Sequence, residues 1–200
     1  MKTPSLSHFS SREYEHVYEP AEDTFLLLDA LEADASRGLL GPDRFVCLEV
    51  GSGSGCVSVF LQMLSHELGH EKLIFTTDIN PIATTATAAT AVANHTSLHP
   101  IRTHFASGLR LPQTVDILVF NPPYVVTPSS EVGGAGIEAS WAGGVDGMEV
   151  TNAFLPHVEA LLSARGLFYL VAIRENGVEA IRERLRKEQG LYSEVRLPAT

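Results

Sequence analysis

Apolar residues recur along the chain at two alternating spacings, and the alternation predicts strands followed by helices. Ala21–Ala33 carries Phe25, Leu28 and Leu31 on one helical stripe, with Pro20 suited to the first turn. Arg44–Val50 (RFVCLEV) is a β-rich run that ends at glycines. Ser54–Leu68 then returns to helical spacing through Val57, Phe60, Leu61 and Leu64. Lys72–Thr77 predicts a second strand. Asn80-Pro81 opens a helix rich in alanine and threonine up to about Asn94, whose threonines leave its helicity dependent on packing. Pro100–Thr103 is a weak third strand, Val115–Phe120 (VDILVF) a strong fourth and Leu167–Ala172 (LFYLVA) a fifth. Helices are predicted over Glu149–Leu162 and Val178–Gln189, and Leu191–Leu197 is a candidate last strand.

Strand–helix alternation of this kind implies an α/β fold, a mostly parallel twisted sheet with helices on both faces. Ligands of such sheets sit beyond the carboxyl ends of the strands. The chemistry-bearing residues fall at those ends: Glu49 to Gly55, Asp78, Thr103 to Phe105, and Asn121 to Tyr124. Val125–Gly147 is too long and too glycine-rich for an ordinary connection, and it leaves from the last of these sites. It is expected to be a substrate-binding lid, with Trp141 as its packing anchor.

Length and composition narrow the classes. The 200 residues suit one domain, with 1–17 as an N-terminal extension, and 44% hydrophobic with 19% charged residues is ordinary for a globular chain. No apolar run is long enough for a membrane span, and the polar N-terminus has no signal-peptide core, so a soluble protein away from membranes is expected. Cys47 and Cys56 are expected to be buried thiols. The eight histidines are scattered, and neither His66/His70 nor His95/His99 makes a convincing pair of ligands, so no metal site is expected in this chain. A net charge of −10 disfavours nucleic acid as a partner. Eight acidic residues lie in Glu13–Asp34. Arg182, Arg184, Arg186 and Lys187 read as the wet face of a helix.

The run Glu49-Val-Gly51-Ser-Gly53-Ser-Gly55 follows a strand and opens a helix, where glycines let the backbone turn tightly beside a ligand. A dinucleotide pyrophosphate is the rival occupant. It is disfavoured by the GxGxG spacing, by Cys56 in the place of the last glycine, and by Glu49, whose charge suits a cationic ligand such as S-adenosylmethionine. Asp78, at the end of the second strand, suits a ribose diol. Asn121-Pro122-Pro123-Tyr124 stops the fourth strand in a stiff backbone. An amide-type NH2 is a poor nucleophile with two hydrogens to give. Asn121 Oδ1 and the Pro122 carbonyl are expected to accept one each, and Tyr124 is expected to be an aromatic wall.

These residues also carry a resemblance. Tyr18-Glu-Pro-Ala-Glu-Asp-Thr24, Leu48-Glu-Val-Gly-Ser-Gly-Ser-Gly55, Thr77-Asp-Ile-Asn-Pro81, Phe120-Asn-Pro-Pro-Tyr-Val-Val-Thr-Pro128 and Trp141-Ala-Gly-Gly144 together resemble the eukaryotic and archaeal HemK-like glutamine methyltransferases. The resemblance covers almost the whole chain. It implies a Rossmann-like class I methyltransferase fold using S-adenosylmethionine, with S-adenosylhomocysteine as product, and the GGQ glutamine of the class I translation release factor as methyl acceptor. It also implies that Thr24 contacts the methionine end of the cofactor. A small zinc-binding activator subunit is the implied partner, in a heterodimer placed in the cytoplasm and also the nucleus. Histone-tail lysine and N6-adenine are alternative acceptors, and a catalytically weak cofactor-binding module is the alternative outside enzymes. The chain departs from the family at His104, within Thr103-His104-Phe105, where an adenine-binding Asp is usual, and at Val145-Asp-Gly-Met148, where Arg-Asn-Gly-Arg is frequent. The last antiparallel strand of the family sheet has no evident counterpart before Thr200.

Overall fold

The computed structural model describes residues 1–134 and 137–196. Its strands are β1 (Val46–Val50), β2 (Leu73–Asp78), β3 (His99–Arg102), β4 (Val115–Phe120) and β5 (Leu162–Leu170). Its α-helices are α1 (Ser11–Tyr14), α2 (Glu22–Ser36), α3 (Cys56–Glu67), α4 (Pro81–Ala93), α5 (Glu149–Phe154), α6 (Val158–Leu161) and α7 (Val178–Gln189). The strands form one sheet in the order β3-β2-β1-β4-β5. Every neighbouring pair is parallel. The order reverses between β1 and β4, and that switch point fixes where a ligand can enter.

Side-chain parity divides the core. Cys47, Ile117 and Val119 meet Leu27, Leu28 and Leu31 of α2 and Val57, Phe60 and Leu61 of α3. Leu48, Val50, Leu118 and Phe120 turn to the other face and meet Phe154, Leu155, Val158, Ile181 and Leu185. Each of these fully buried leucines contributes roughly 1.5–3 kcal/mol of burial. The same parity sends Glu49 towards α3, where it is bonded to Ser58.

Of the expected α2 stripe, Leu28 and Leu31 are buried, together with Leu27 and Ala35, and Phe25 is not, at 44% exposed. A helix that starts at Glu22 puts Thr24, not Phe25, over the sheet. The single helix expected over Glu149–Leu162 is three short turns, α5, a 3-10 turn at Leu155–His157, and α6. Pro156 has no N–H to continue the ladder. Leu162 is consequently already in β5, five residues before the expected start, and the β4–β5 register shifts between its pairings at Val115 and Ile117. Residues 191–196 form no strand. Arg182 holds the Ser193 carbonyl at 3.1 Å and Arg196 reaches Asp34 at 2.9 Å, so the tail is tied to α7 and α2. Leu197 lies outside the described residues. On α7, Arg182, Arg184 and Lys187 pair with Glu179, Glu188 and Glu183 along the helix, which is the wet face expected of them.

The threonines of α4 explain its composition. Thr87 Oγ1 lies 2.9 Å from Ser52 Oγ and donates to the Gly53 carbonyl at 3.2 Å, and Thr90 Oγ1 donates to the Ser54 carbonyl at 2.6 Å. The helix therefore grips the glycine turn from below. Residues 1–17 lie across α4, through Ser5 and Asn94 bonded in both directions at 2.7 and 2.9 Å and through Val17 buried against Ala83 and Ala86.

Gly55 is the tightest point of this contact. It has φ +77°, and a Cβ there would lie 2.9 Å from Thr87 Cα. Gly55→Ala is expected to cost at least about 1 kcal/mol from the left-handed backbone alone, lowering the melting temperature by about 2–4 °C per kcal/mol. Thermal denaturation followed by circular dichroism checks it. An unchanged midpoint would show that the turn leaves the left-handed region and that α4 yields to the added Cβ at no net cost.

Candidate active site

A cavity of about 640 Å³ opens at the carboxyl ends of β1, β2, β3 and β4. That is ample for a cofactor-sized ligand. Thr24, Glu49, Gly51, Gly53, Asp78, His104, Phe105 and Asn121 all line it. Pro122 is buried and Tyr124 half-buried, and neither is among the lining residues described. The Tyr124 hydroxyl is bonded to Asp23.

The glycine turn leaves β1 with Gly51, Gly53 and Gly55 all at positive φ, which points its backbone N–H groups across to β2. Gly51 and Ser52 donate to the Thr77 carbonyl at 2.8 and 3.1 Å, and Gly53 N donates to Asp78 Oδ2 at 3.0 Å. Asp78 Oδ1 accepts from Asn80 N at 2.9 Å. Asp78 therefore ties down the start of α4 and lines the cavity. Burial pushes its carboxyl up, against the pull of those N–H groups.

Glu49 is buried, and its Oε2 accepts from both the backbone N–H of Ser58, at 3.1 Å, and the Ser58 hydroxyl. Its Oε1 has no partner among the described residues. Burial pushes the carboxyl up to about 8, partly opposed by the Ser58 bonds and reinforced by the charge of Asp78. A carboxylate held this far from water is stabilised by a cationic ligand.

Phe105 holds a left-handed φ of +49° while its ring packs 5.2 Å from that of Phe154. Its strain sits at the cavity wall, where the surrounding aromatic cluster over-determines the conformation. His104 is exposed, with its ring 3.9 Å from that of Phe105.

Asp23 is the residue the sequence reading missed. Its Oδ2 accepts from Asn121 Nδ2 at 2.8 Å and from the Tyr124 hydroxyl at 3.1 Å. Its Oδ1 accepts from Thr24 N at 2.7 Å and from the Tyr18 hydroxyl at 3.2 Å. Burial and the Asp23 charge push both tyrosine hydroxyls up, so both stay protonated donors. With Nδ2 committed to Asp23, Asn121 Oδ1 is left buried without a donor among the described residues. Such an orphan costs about 1–3 kcal/mol, and it marks where a partner is missing.

Described residues of the segment 125–147 border the mouth. Val125 N donates to the Trp141 carbonyl at 2.9 Å and Gly143 N to the Val125 carbonyl at 2.8 Å. Glu149 accepts from Val145 N at 3.0 Å and from the Ser129 hydroxyl. Val132, Ile137 and Ser140 reach the cavity from this loop. Its anchor is the fully buried Ala142. Trp141 stays 36% exposed, because the backbone pairing with Val125 turns the two neighbours to opposite sides.

No protein-family model matches the chain. It is 53% identical to Methyltransferase HEMK2 of Homo sapiens over 191 residues, 94% of this chain and 86% of that protein. It is 40% identical to the eRF1 methyltransferase catalytic subunit mtq2 of Schizosaccharomyces pombe, over 97% of this chain and 88% of the relative. The chain belongs to the HemK-like methyltransferases. Its fold is accordingly the Rossmann-like class I methyltransferase fold. The solved ribosomal protein L11 methylase from Lactobacillus delbrueckii subsp. bulgaricus shares it, with a TM-score of 0.62 at 16% identity, over 92% of this chain and 77% of that one.

The cavity of this HemK-like enzyme fits S-adenosylmethionine on its own geometry. The buried carboxylate of Glu49 would match the cationic end, Asp78 lies at the end of β2 where it would accept from hydroxyl groups, and the positive-φ turn between them would bring backbone close to the ligand.

Proposed function

We propose that this HemK-like methyltransferase methylates the side-chain amide nitrogen of a protein glutamine, the GGQ glutamine of the class I translation release factor. The observation that carries the acceptor class is the orphaned Asn121 Oδ1 beside a committed Nδ2. An acceptor fixed in that way selects a group with hydrogens to give. A glutamine amide has two, one for Asn121 Oδ1 and the second for the Pro122 carbonyl, which no side chain can replace. Held by both, the nitrogen is oriented rather than deprotonated, and its proton leaves after transfer. Bound S-adenosylmethionine supplies an electrophilic methyl group on a sulfonium, and S-adenosylhomocysteine is what remains. The S. pombe relative, an eRF1 methyltransferase catalytic subunit, supports the release factor as substrate.

A lysine acceptor would first have to lose a proton. The nearest carboxylate, Asp23, already accepts on both oxygens, which leaves it poorly placed as a base. An adenine acceptor is opposed by the charge of −10. A zinc-binding activator subunit belongs to the same proposal. It is supported by the position of β3 at an edge of the sheet, with Ile79, Ile82 and Val92 exposed on the adjoining segments. Action in the cytoplasm follows from a substrate used in translation.

The test is transfer of labelled methyl from S-adenosylmethionine to purified release factor, with the activator co-expressed. Label is expected on the GGQ glutamine and on no release factor in which that glutamine is replaced. Equal labelling of the replaced protein would move the acceptor elsewhere.

A further inference from the structure

A primary amide presents two nearly identical ends, one that accepts and one that donates. Asn121 serves an NH2 acceptor only if its oxygen faces the substrate. The NPPY tetrapeptide does not fix that choice, because a half-turn about the Asn121 Cβ–Cγ bond exchanges Oδ1 and Nδ2 in the same space. Something outside the tetrapeptide has to fix it.

We propose that Asp23 is the positioning residue that locks the Asn121 amide with its oxygen towards the substrate, and so makes the site selective for an NH2-bearing acceptor. This rests on the glutamine reading above and adds the device that enforces it. A carboxylate only accepts, so the 2.8 Å contact from Asn121 to Asp23 Oδ2 must be made by the amide nitrogen. The Tyr124 hydroxyl, 3.1 Å from the same oxygen, holds it from the second side. On the other oxygen, Thr24 N at 2.7 Å is a backbone donor with no second role, and the Tyr18 hydroxyl joins it at 3.2 Å. Asp23 is thereby fixed by α2 and by the segment before it, and it transmits that fixation to the end of β4. The sequence distance is 98 residues, so the acidic segment and the catalytic tetrapeptide form one unit only in the fold.

The lock has a definite failure mode. In Asp23→Asn the backbone N–H of Thr24 still demands an acceptor, so the new amide keeps its oxygen on the α2 side and turns its NH2 towards Asn121. Asn121 must then offer its own oxygen to Asn at 23, and its NH2 swings to the substrate side. Two NH2 groups now face each other where one should be accepted. The exchanged pair, Asp23→Asn with Asn121→Asp, repairs this. The amide at 23 donates to one carboxylate oxygen at 121, and the other oxygen again accepts from the substrate.

Three variants and two readouts test the lock. Asp23→Asn is expected to lower kcat on release factor about 10²-fold, the scale of a misoriented reacting group, while calorimetry shows cofactor affinity unchanged and so a folded cavity. Asn121→Asp alone sets two carboxylates together and is expected to be as poor. The exchanged pair is expected to recover about tenfold over either single variant, a coupling ordinary for residues in contact. Independently of any substrate, the 15N-labelled side-chain amide resonance of Asn121 is expected to be slow to exchange in the native enzyme and to lose that protection in Asp23→Asn. Native-like turnover in Asp23→Asn, absence of rescue in the exchanged pair, or an Asn121 resonance indifferent to Asp23→Asn would each overturn the proposal. If the native enzyme labels no glutamine while the resonance responds as described, the lock stands and the glutamine reading falls.

Discussion

Replacing Asn121 by alanine is expected to reduce methyl transfer by about 10²–10³-fold, the range seen when one preorganised polar contact to a reacting group is removed. The loss should appear in kcat. Asn121 holds the acceptor nitrogen, whereas the cationic end of the cofactor is matched by Glu49, which Asn121→Ala leaves with its Ser58 partners. Stability should change little. The variant removes a buried orphan acceptor worth about 1–3 kcal/mol of penalty and with it one of the two donors on Asp23 Oδ2, and the Tyr124 hydroxyl keeps that oxygen bonded. Single-turnover transfer and cofactor calorimetry on the same preparation separate these effects. Turnover within a few fold of native would mean that the Pro122 carbonyl orients the acceptor alone. Collapse of cofactor binding would mean that Asn121 belongs to the cofactor pocket instead.

How much of this could be read from the chain differs from place to place, for physical reasons. Strands β1, β2 and β4 were legible because each is a short apolar run ending at a residue with a distinct chemistry, and a parallel sheet collects such ends on one side. Fold class and the lining residues Glu49, Gly51, Gly53, Asp78 and Asn121 followed from that, whereas Thr24 entered only through the resemblance. Helix α2 was legible as a helix and in its buried Leu28 and Leu31, but not in its first turn, since Phe25 outranks Thr24 on any hydrophobic count and only the start at Glu22 decides which of them is buried. Pro156 announced a break that the periodicity from Glu149 to Leu162 hid, and the early start of β5 is its consequence. The threonines of α4 looked like poor helix formers because their partners, Ser52, Gly53 and Ser54, lie in another segment. Asp23 was invisible as a site residue for the same reason. Within its own segment an acid at the second position of a helix is an ordinary capping choice, and nothing local says that its second oxygen will be met by Asn121 and Tyr124.

Glu49→Gln is expected to separate stability from function in opposite directions. Burial pushes the Glu49 carboxyl up to about 8, above its ordinary value of 4.5. Between those two values the folded chain holds more protons than the unfolded one, so without cofactor its stability is fullest at the acid end of that window and falls as pH rises through it. Glutamine does not titrate. The cofactor-free variant should therefore melt higher than the native enzyme above pH 8, and the two curves should converge towards pH 5. Affinity for S-adenosylmethionine should move the other way. The Ser58 N–H keeps the amide oxygen of the new side chain, which leaves an NH2 group facing a cationic ligand where a carboxylate oxygen had been. Losing a buried charge partner costs about 2–5 kcal/mol, roughly a 30-fold to several-thousand-fold weakening. The native enzyme should also bind about tenfold more tightly per pH unit from pH 6 to 7.5, because a proton must leave Glu49 before the ligand is matched, and the variant should lose that slope. Calorimetry over this range in buffers of different ionisation enthalpy counts the proton directly. A native slope of zero would show that Glu49 is ionised before the cofactor arrives. In that case its charge is stabilised in the free protein by Ser58, and it meets the cation without first giving up a proton.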